Sequence, residues 1–426
     1  MSRVIRSQWS GNPLAPYRRG RMPCDYEAYV PDLLTGRAIT LDGDVAADVA
    51  DAEAAISALN AEAFALANTE ALARLLLRAE SVASSRIEGL EVGARKLLRA
   101  EAAHAMGEAS VDITANEVLG NIEAMNAALQ AVGPGDEITL DMLLAFHNRL
   151  MADAPGEIGP GALRTKQNWI GGSDYNPCTA AFVPPPHEYV PELMADLCSF
   201  CNEDSLPAVA QAALAHAQFE TIHPFADGNG RTGRGLIQLV LRRRGLASRT
   251  VPPVSLVLAT WAKDYLDGLT ATRYLGPATG KVAHEGLNLW IDRFAGACIR
   301  AVSDAASFEA RIQELEGDWR ARLGQVRADS ATDLLLRALP GAPVLTVASA
   351  AELIDRSFPT VNDAIARLTE ADVLKQITIG KRNRAFEAKE VIDAFTSLER
   401  QLASPAGDTR SSPPSRPVTP RRPTVD

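Results

Sequence analysis

Apolar positions recur at helical spacing along most of the chain. From Asp44 to about Met106 the pattern is helical, dense at Leu72, Leu75, Leu76 and Leu77 and punctuated by Gly89 and Gly93. Residues 108–131 and 138–152 read as two more helices around GPGDE. The texture then changes. In NWIGGSDYNPCTAAFVPPP, short apolar segments at Trp169–Ile170 and Ala181–Val183 flank a Gly/Asp/Asn turn, which predicts a hairpin. Pro184, Pro185 and Pro186 end it, because proline cannot extend a ladder. Helical spacing resumes at about Pro191. An alanine-rich helix is expected over 206–222, another at GLIQLVLRRRGL, and more over 257–274, 285–303 and 304–325. Beyond about Asp329 the order is three helices and a small hairpin with a Gly-Lys-Arg tip, the outline of a winged helix-turn-helix. Residues 1–45, rich in Pro, Gly and Arg, read as an extended arm, and the Pro/Ser/Arg-rich end as disordered.

The chain has 426 residues, room for two or three domains. Apolar residues make up 46% and aromatics only 5%, so Ala and Leu carry the core and helices are favoured over sheets. A net charge of −10 argues against a broad electrostatic grip on nucleic acid or an anionic membrane. No apolar run reaches the length of a membrane span, no signal-like segment opens the chain, and a cytoplasmic location is expected. The five cysteines are Cys24, Cys178, Cys198, Cys201 and Cys298, an odd and scattered set that suits a reducing compartment. Cys198 and Cys201 are spaced C-x-x-C, but on a helical pattern with no second pair, and read as core. His104, His147, His187, His216 and His284 show no metal-ligand spacing and read as core or surface.

His223 to Arg234 reads HPFADGNGRTGR. Its GNGRTG fits the dinucleotide pattern G-x-G-x-x-G, but a helix precedes it where a strand is required, and no Gly-Lys-Ser/Thr makes it a P-loop. It is a helix–loop–helix element with the makings of an anion site. Gly228 and Gly230 allow successive N–H groups to turn toward one point, and the following helix adds the positive end of its dipole. Arg231 and Arg234, three apart, reach the same side with forks that match phosphate oxygens. Asn229 offers a further donor. Asp227 opposes an anion unless a cation such as Mg²⁺ lies between. His223 is the base that titrates near neutral pH. Singly, each residue has a plain structural use as cap, tight turn or surface ion pair. Together they suggest transfer of a phosphate-linked group to a hydroxyl.

The stretch resembles the signature of Fic-domain enzymes, H-P-F-x-D/E-G-N-G-R-x-x-R, at every fixed position. The resemblance implies a mainly α fold: a Fic helical core with a small β-hairpin flap, plus the C-terminal winged helix-turn-helix. It implies AMPylation, the transfer of AMP from ATP to a Ser, Thr or Tyr hydroxyl, on another protein or on the chain itself. His223 is then the base and Asp227 the Mg²⁺ ligand. Gly228, Asn229, Gly230 and Arg231 hold the α- and β-phosphates, and Arg234 the γ-phosphate. The Gly-Asn-Gly half favours AMP transfer over the phosphate transfer of Doc-like kinases. The hairpin resembles the family's flap, with Trp169, Ile170, Gly171, Phe182 and Val183 holding the target as an added strand. Tyr265 sits where related proteins place an aromatic near the adenine.

Ser84-Ser85-Arg86-Ile87-Glu88-Gly89 resembles the family's inhibitory motif S/T-x-x-x-E-G/N. Ser84 and Glu88 are four apart on one expected helix face, and Gly89 loosens the helix after them. The resemblance implies that Glu88 pairs with Arg234 and so misaligns ATP, and in some relatives the glutamate orients a water that removes AMP. The expected domains are an arm at 1–45, a helical segment with this motif at 46–106, the Fic core at 107–327, the winged helix at 328–403 and a tail at 404–426. Residues 329–400 hold nine Lys/Arg and eleven Asp/Glu, a poor footprint for duplex DNA, so DNA binding, protein docking and homodimerisation all stay open. Two other functions stay open as well: a transcriptional regulator whose Fic core senses nucleotide, and a de-AMPylase using Glu88.

Overall fold

A computed structural model of the chain describes residues 1–11, 13–62, 69–107, 112–152, 159–379 and 383–402. The expected tail from 404 and the wing tip at 380–382 lie outside them. In chain order the elements begin with strands β1 (Arg3–Trp9) and β2 (Cys24–Val30). Helices α1 (Gly43–Glu62), α2 (Thr69–Ile87), α3 (Ala94–Ala105), α4 (Ile113–Ala131) and α5 (Leu140–Leu150) follow. Then come α6 (Val190–Cys201), α7 (Ala208–Ile222), α8 (Asn229–Arg243), α9 (Val254–Thr260), α10 (Ala262–Ala271) and α11 (Lys281–Leu323). The C-terminal part holds α12 (Ala331–Ala338), β3 (Val344–Leu345), α13 (Val347–Ile354), α14 (Phe358–Glu370), β4 (Lys375–Ile379), β5 (Asn383–Glu387) and α15 (Lys389–Leu402). No helix among the described residues is long and apolar enough to cross a membrane.

The chain folds as two compact units. One comprises Met1–Ala54, Glu123–Ser248 and Ala262–Ala297, the other Ala55–Ile122, Arg249–Trp261 and Cys298–Asp426. The first is built around α7, all of whose residues are buried. Burial on every side explains its lack of amphipathic pattern, and its alanines let neighbours approach closely. Trp290 donates its indole N–H to the Ala213 carbonyl (2.7 Å), and Gln211 donates to the carbonyls of Phe200 and Glu203. In α8, Gly235 lies so near the Phe146 ring of α5 that an added Cβ would approach it to 2.7 Å.

The N-terminal residues are not an extended arm. β1 and β2 pair antiparallel, Arg3 opposite Val30 and Trp9 opposite Cys24. Their alternation of side chains was masked by the Pro/Gly/Arg-rich connection between them. This hairpin packs on the expected flap. Tyr29 N–H donates to the Val183 carbonyl (2.9 Å), and Trp9 meets Trp169 edge-on at 5.4 Å. Cys24 and Cys178 form a disulfide with a Cα separation of 5.9 Å, which runs against the reading of the five cysteines as a scattered set suited to a reducing compartment. Spacing could not show it, because the partners are 154 residues apart. Cys198, Cys201 and Cys298 are buried thiols, and burial pushes the Cys198 thiol up to about 11.

In the second unit, Leu75, Ala79 and Ala83 of α2 pack with Phe308, Ile312, Leu315 and Trp319 of α11, and with Leu335, Ile365 and Phe386 of the C-terminal part. Glu80 is fully buried and accepts the N–H (2.7 Å) and the O–H (2.6 Å) of Ser255, which fixes α2 to α9. The C-terminal part has α12, β3, α13 and α14 in order before the β4–β5 hairpin, and the three strands form an antiparallel sheet of order β3-β5-β4. Two helix boundaries differ from the expectation. The segments at 285–303 and 304–325 are one helix of 43 residues, since no Pro or paired Gly separates them. The expected helix at 257–274 breaks at Trp261 into α9 and α10, with no Gly or Pro there to announce it.

Candidate active site

α7 ends at Ile222, and His223 caps it in the left-handed region at φ 50°, ψ 60°. α8 begins at Asn229 after Gly228, which is also left-handed at φ 73°. A side chain at Gly228 would be strained there and would also meet the Met151 sulfur at 2.7 Å. The loop between is held by its own side chains. The Asn229 amide accepts the Phe225 N–H (2.8 Å) and donates to the Phe225 carbonyl (2.9 Å). Thr232 donates both its N–H (3.0 Å) and its O–H (2.9 Å) to the Gly228 carbonyl. The amides of the first turn therefore point beyond the helix end, where the dipole is positive. Arg231 and Arg234, three residues apart on α8, are 5% and 1% exposed, a rare degree of burial for two neighbouring cations. His223 is half-buried and Asp227 exposed, with Asp227 Oδ1 accepting the Gly228 N–H (2.6 Å).

Further buried polar residues frame the loop. The His147 ring stacks on Phe225 at 3.8 Å. Its Nδ1 accepts the Gly161 N–H (2.9 Å), so Nε2 carries the proton and donates to the Asp227 carbonyl (3.0 Å). Burial holds its pKa below the usual histidine value. His216 lies under α8, fully buried, with Nε2 2.8 Å from the Tyr265 hydroxyl. Burial first, and the Arg234 charge second, push its pKa down to about 3. A histidine neutral when folded but ordinary when unfolded stabilises the fold above pH 6.5 and loses that contribution as pH falls below it. Between pH 7 and pH 5 the loss for His216 is about 2 kcal/mol. Chemical unfolding across that window should show it, and His216→Gln should flatten the profile; an unchanged slope would remove His216 as its source.

The loop and the helices around it match known proteins. Residues 137–241 fit the model of the Fic/DOC family, and residues 46–130 fit its N-terminal model. The chain carries a Fic domain. Over 159 residues it is 35% identical to the protein adenylyltransferase fic-1 of Caenorhabditis elegans, and over 148 residues 36% identical to the protein adenylyltransferase Fic of Culex quinquefasciatus. These alignments cover 35% and 33% of this chain but 28% and 26% of the relatives, so the chain spans only about a quarter of their length. A Fic family protein of Desulfovibrio desulfuricans shares the fold at TM-score 0.50 and 23% identity, over 82% of this chain and 97% of that one.

The Fic loop gathers His223, Asp227, Gly228, Asn229, Gly230, Arg231 and Arg234 in one turn, as its sequence demands. Two assignments change. Asn229 has both ends of its amide on Phe225, so it shapes the loop, and its backbone N–H and second amide hydrogen are what it has left for a ligand. Tyr265 is 5% exposed, stacked on His216 and packed against Trp290, the surroundings of a core residue. The flap is reduced to two isolated bridges, Ser173 with Asn176 and Ile170 with Phe182, the latter made by Ile170 N–H to Phe182 O (2.8 Å) and Phe182 N–H to Ile170 O (3.2 Å), with a short 3-10 turn at Pro177–Thr179. Trp169 faces Trp9, Phe182 lies under the Arg273 guanidinium at 3.7 Å, and Val183 is buried. These three anchor the hairpin, whose exposed residues are Gly171, Gly172, Asp174, Thr179 and Ala181.

Ser84, Glu88 and Gly89 belong to the second unit. α2 stops at Ile87, one residue short of the expectation. Leu90 N–H bonds back to Ser85 O (3.0 Å) and Gly89 N–H to Arg86 O (2.9 Å), with Gly89 at φ 83°. This is a Schellman cap, so Gly89 ends the helix rather than loosening it. Ser84 is buried, and Glu88, at the cap one residue beyond the end of α2, is exposed. Among the described residues no three His, Cys, Asp or Glu side chains could hold a metal between them. The single exposed carboxylate of Asp227 beside a helix N-terminus fits a Mg²⁺ shared with phosphate oxygens, not a metal held by protein alone. The sequence reading missed His147, Arg164 and Asn168 as parts of the site. Their signal, polar residues that end up inside, is visible only once the packing is known.

Proposed function

We propose that this Fic domain is a protein adenylyltransferase, moving AMP from ATP to a Ser, Thr or Tyr hydroxyl of a protein. The observation that carries the proposal is the loop itself: one half-buried histidine, one exposed carboxylate and two buried arginines around a helix N-terminus. The curated relatives' name, protein adenylyltransferase, supports it. His223 takes the hydroxyl proton, the hydroxyl oxygen bonds to the α-phosphorus, and the bond to the β-phosphate oxygen breaks to release pyrophosphate. The α8 amides and Arg231 hold the phosphates, and Arg234 aligns the γ-phosphate. Mg²⁺ on Asp227 would neutralise phosphate charge.

Autoinhibition by Glu88 acting on Arg234 belongs to the same proposal. The fit of residues 46–130 to the Fic/DOC N-terminal model and the exposed carboxylate at the α2 cap support it. The target segment adds to the flap along its exposed residues. The C-terminal elements act as a winged helix that docks protein or a second copy, since their charge does not favour DNA. A cytoplasmic location is carried with the proposal. The three buried thiols suit it, and the Cys24–Cys178 bond weighs against it. Tandem mass spectrometry after incubation with ATP, GTP, UTP or CTP tests the reaction. Adenylylated Ser, Thr or Tyr in the ATP sample supports it. Phosphorylated residues, or removal of AMP from a modified protein with no addition, would replace it with a kinase or a de-AMPylase. A salt-dependent shift of duplex DNA with no modified protein would favour the nucleotide-sensing regulator.

A further inference from the structure

The cap at His223 is conformationally costly. A non-glycine residue in the left-handed region costs roughly 1 kcal/mol or more, and the residue before a proline is further pushed toward extended backbone. His223 is left-handed and precedes Pro224. Something must hold it there, and the donors all come from one short segment. Arg164 is 7% exposed and gives every hydrogen bond of its side chain to a carbonyl. Nε donates to His223 O (2.9 Å), Nη2 to Pro185 O (2.5 Å) and Ile222 O (3.3 Å), and Nη1 to Lys166 O (3.1 Å). Its backbone N–H donates to Pro224 O (2.9 Å). Four residues on, Asn168 Nδ2 donates to His223 O (3.2 Å) and to Phe225 O (3.0 Å). The guanidinium sits at the negative end of α7, which compensates a charge with no carboxylate bonded to it. Burial lowers its pKa only to about 10, so it stays a cation.

Placement gives these contacts a use. Trp169 follows Asn168 directly, and Ile170 makes the bridge of the flap. Pro185, which also bonds to Arg164, closes the other side of the flap two residues after Val183. Gln167 adds a bond across the stem, from Nε2 to Pro184 O (3.0 Å). The stem of the hairpin and the carbonyl of the histidine are therefore one hydrogen-bonded piece.

We propose that Arg164 and Asn168 are positioning residues for His223, and that through them the docking hairpin sets the orientation of the imidazole. The proposal rests on His223 as the base of the transfer reaction. Neither residue touches ATP or target; each acts through the His223 backbone. Losing the carbonyl bonds lets the cap relax toward extended backbone and swings the ring away from the hydroxyl. A displacement of about 1 Å is enough to lower the rate by roughly 100-fold.

The test uses the full chain with Glu88→Gly as parent. Asn168→Ala and Asn168→Asp are made in it, together with Arg164→Lys. Lysine keeps the charge but cannot span several carbonyls, so it restores little. The expected result is a fall in kcat of roughly 100-fold, with KM and Kd for ATP within about twofold of the parent, because the phosphate cradle after Gly228 is untouched. The ¹³C carbonyl resonance of labelled His223 should move in every variant. Two results overturn the proposal: unchanged kcat and unchanged resonance, or kcat and ATP affinity falling together while the His223 resonance stays put. If the parent itself transfers no AMP, the transfer reading fails and the resonance alone decides the positioning. Asn168 is only half-buried, so its variants keep the test open if Arg164→Lys does not fold.

Discussion

His223→Ala lowers AMP transfer by roughly 10³–10⁴-fold while ATP binding stays within a few-fold of the native chain. The imidazole lies at the cap of α7, before the helix N-terminus at Gly228 that is proposed to hold the phosphates, so under that proposal its removal takes away proton transfer and leaves nucleotide binding in place. Alanine keeps the His223 carbonyl, which accepts from Arg164 and Asn168, and leaves the bonds of the Asn229 amide in place, so the loop is expected to keep its shape. Calorimetric titration with ATP beside a transfer assay separates the two quantities. A parallel loss of both would mean that His223 helps to build the cradle, and the base would have to be sought elsewhere.

Glu88→Gly raises transfer by roughly 10–100-fold. A charge-assisted hydrogen bond between a carboxylate and an arginine is worth about 1.5–3 kcal/mol, and each 1.4 kcal/mol is tenfold in rate. Competition by Glu88 for Arg234 would cost the γ-phosphate that interaction. The position tolerates change, since Glu88 is an exposed helix cap and the left-handed cap position is held by Gly89. Glu88→Gln discriminates the cause. It keeps the shape and removes the charge, so it activates if charge is the brake and stays silent if volume is. Initial rates at fixed ATP check both variants, and a native rate in Glu88→Gly removes the brake from the account.

The chemistry-bearing loop was legible because all its parts lie within twelve consecutive residues, where spacing alone fixes their geometry. Helices with an apolar stripe were legible for the same local reason. What failed was non-local. The β1–β2 hairpin needs pairing across a Pro/Gly/Arg-rich connection, and the Cys24–Cys178 bond joins positions far apart in sequence. Tyr265 reads as a binding residue or a core residue with equal ease, and only the His216 and Trp290 rings beside it decide for core. Asn229 shows the same limit inside the loop. One of its two amide hydrogens goes to a neighbour's backbone, a use that its place in the sequence does not show. Arg164 looked like one basic residue in a polar run. Its role follows from the carbonyls of α7, which sequence places 58 and 59 residues away.

The most direct measurement is transfer of label from α-³²P-ATP to protein, with Mg²⁺, by the native chain, by Glu88→Gly and by Glu88→Gly combined with His223→Ala. The account predicts weak labelling by the native chain, strong labelling by Glu88→Gly, and none above background in the combined variant. Labelling that persists without His223, or none from Glu88→Gly while ATP still binds, contradicts it.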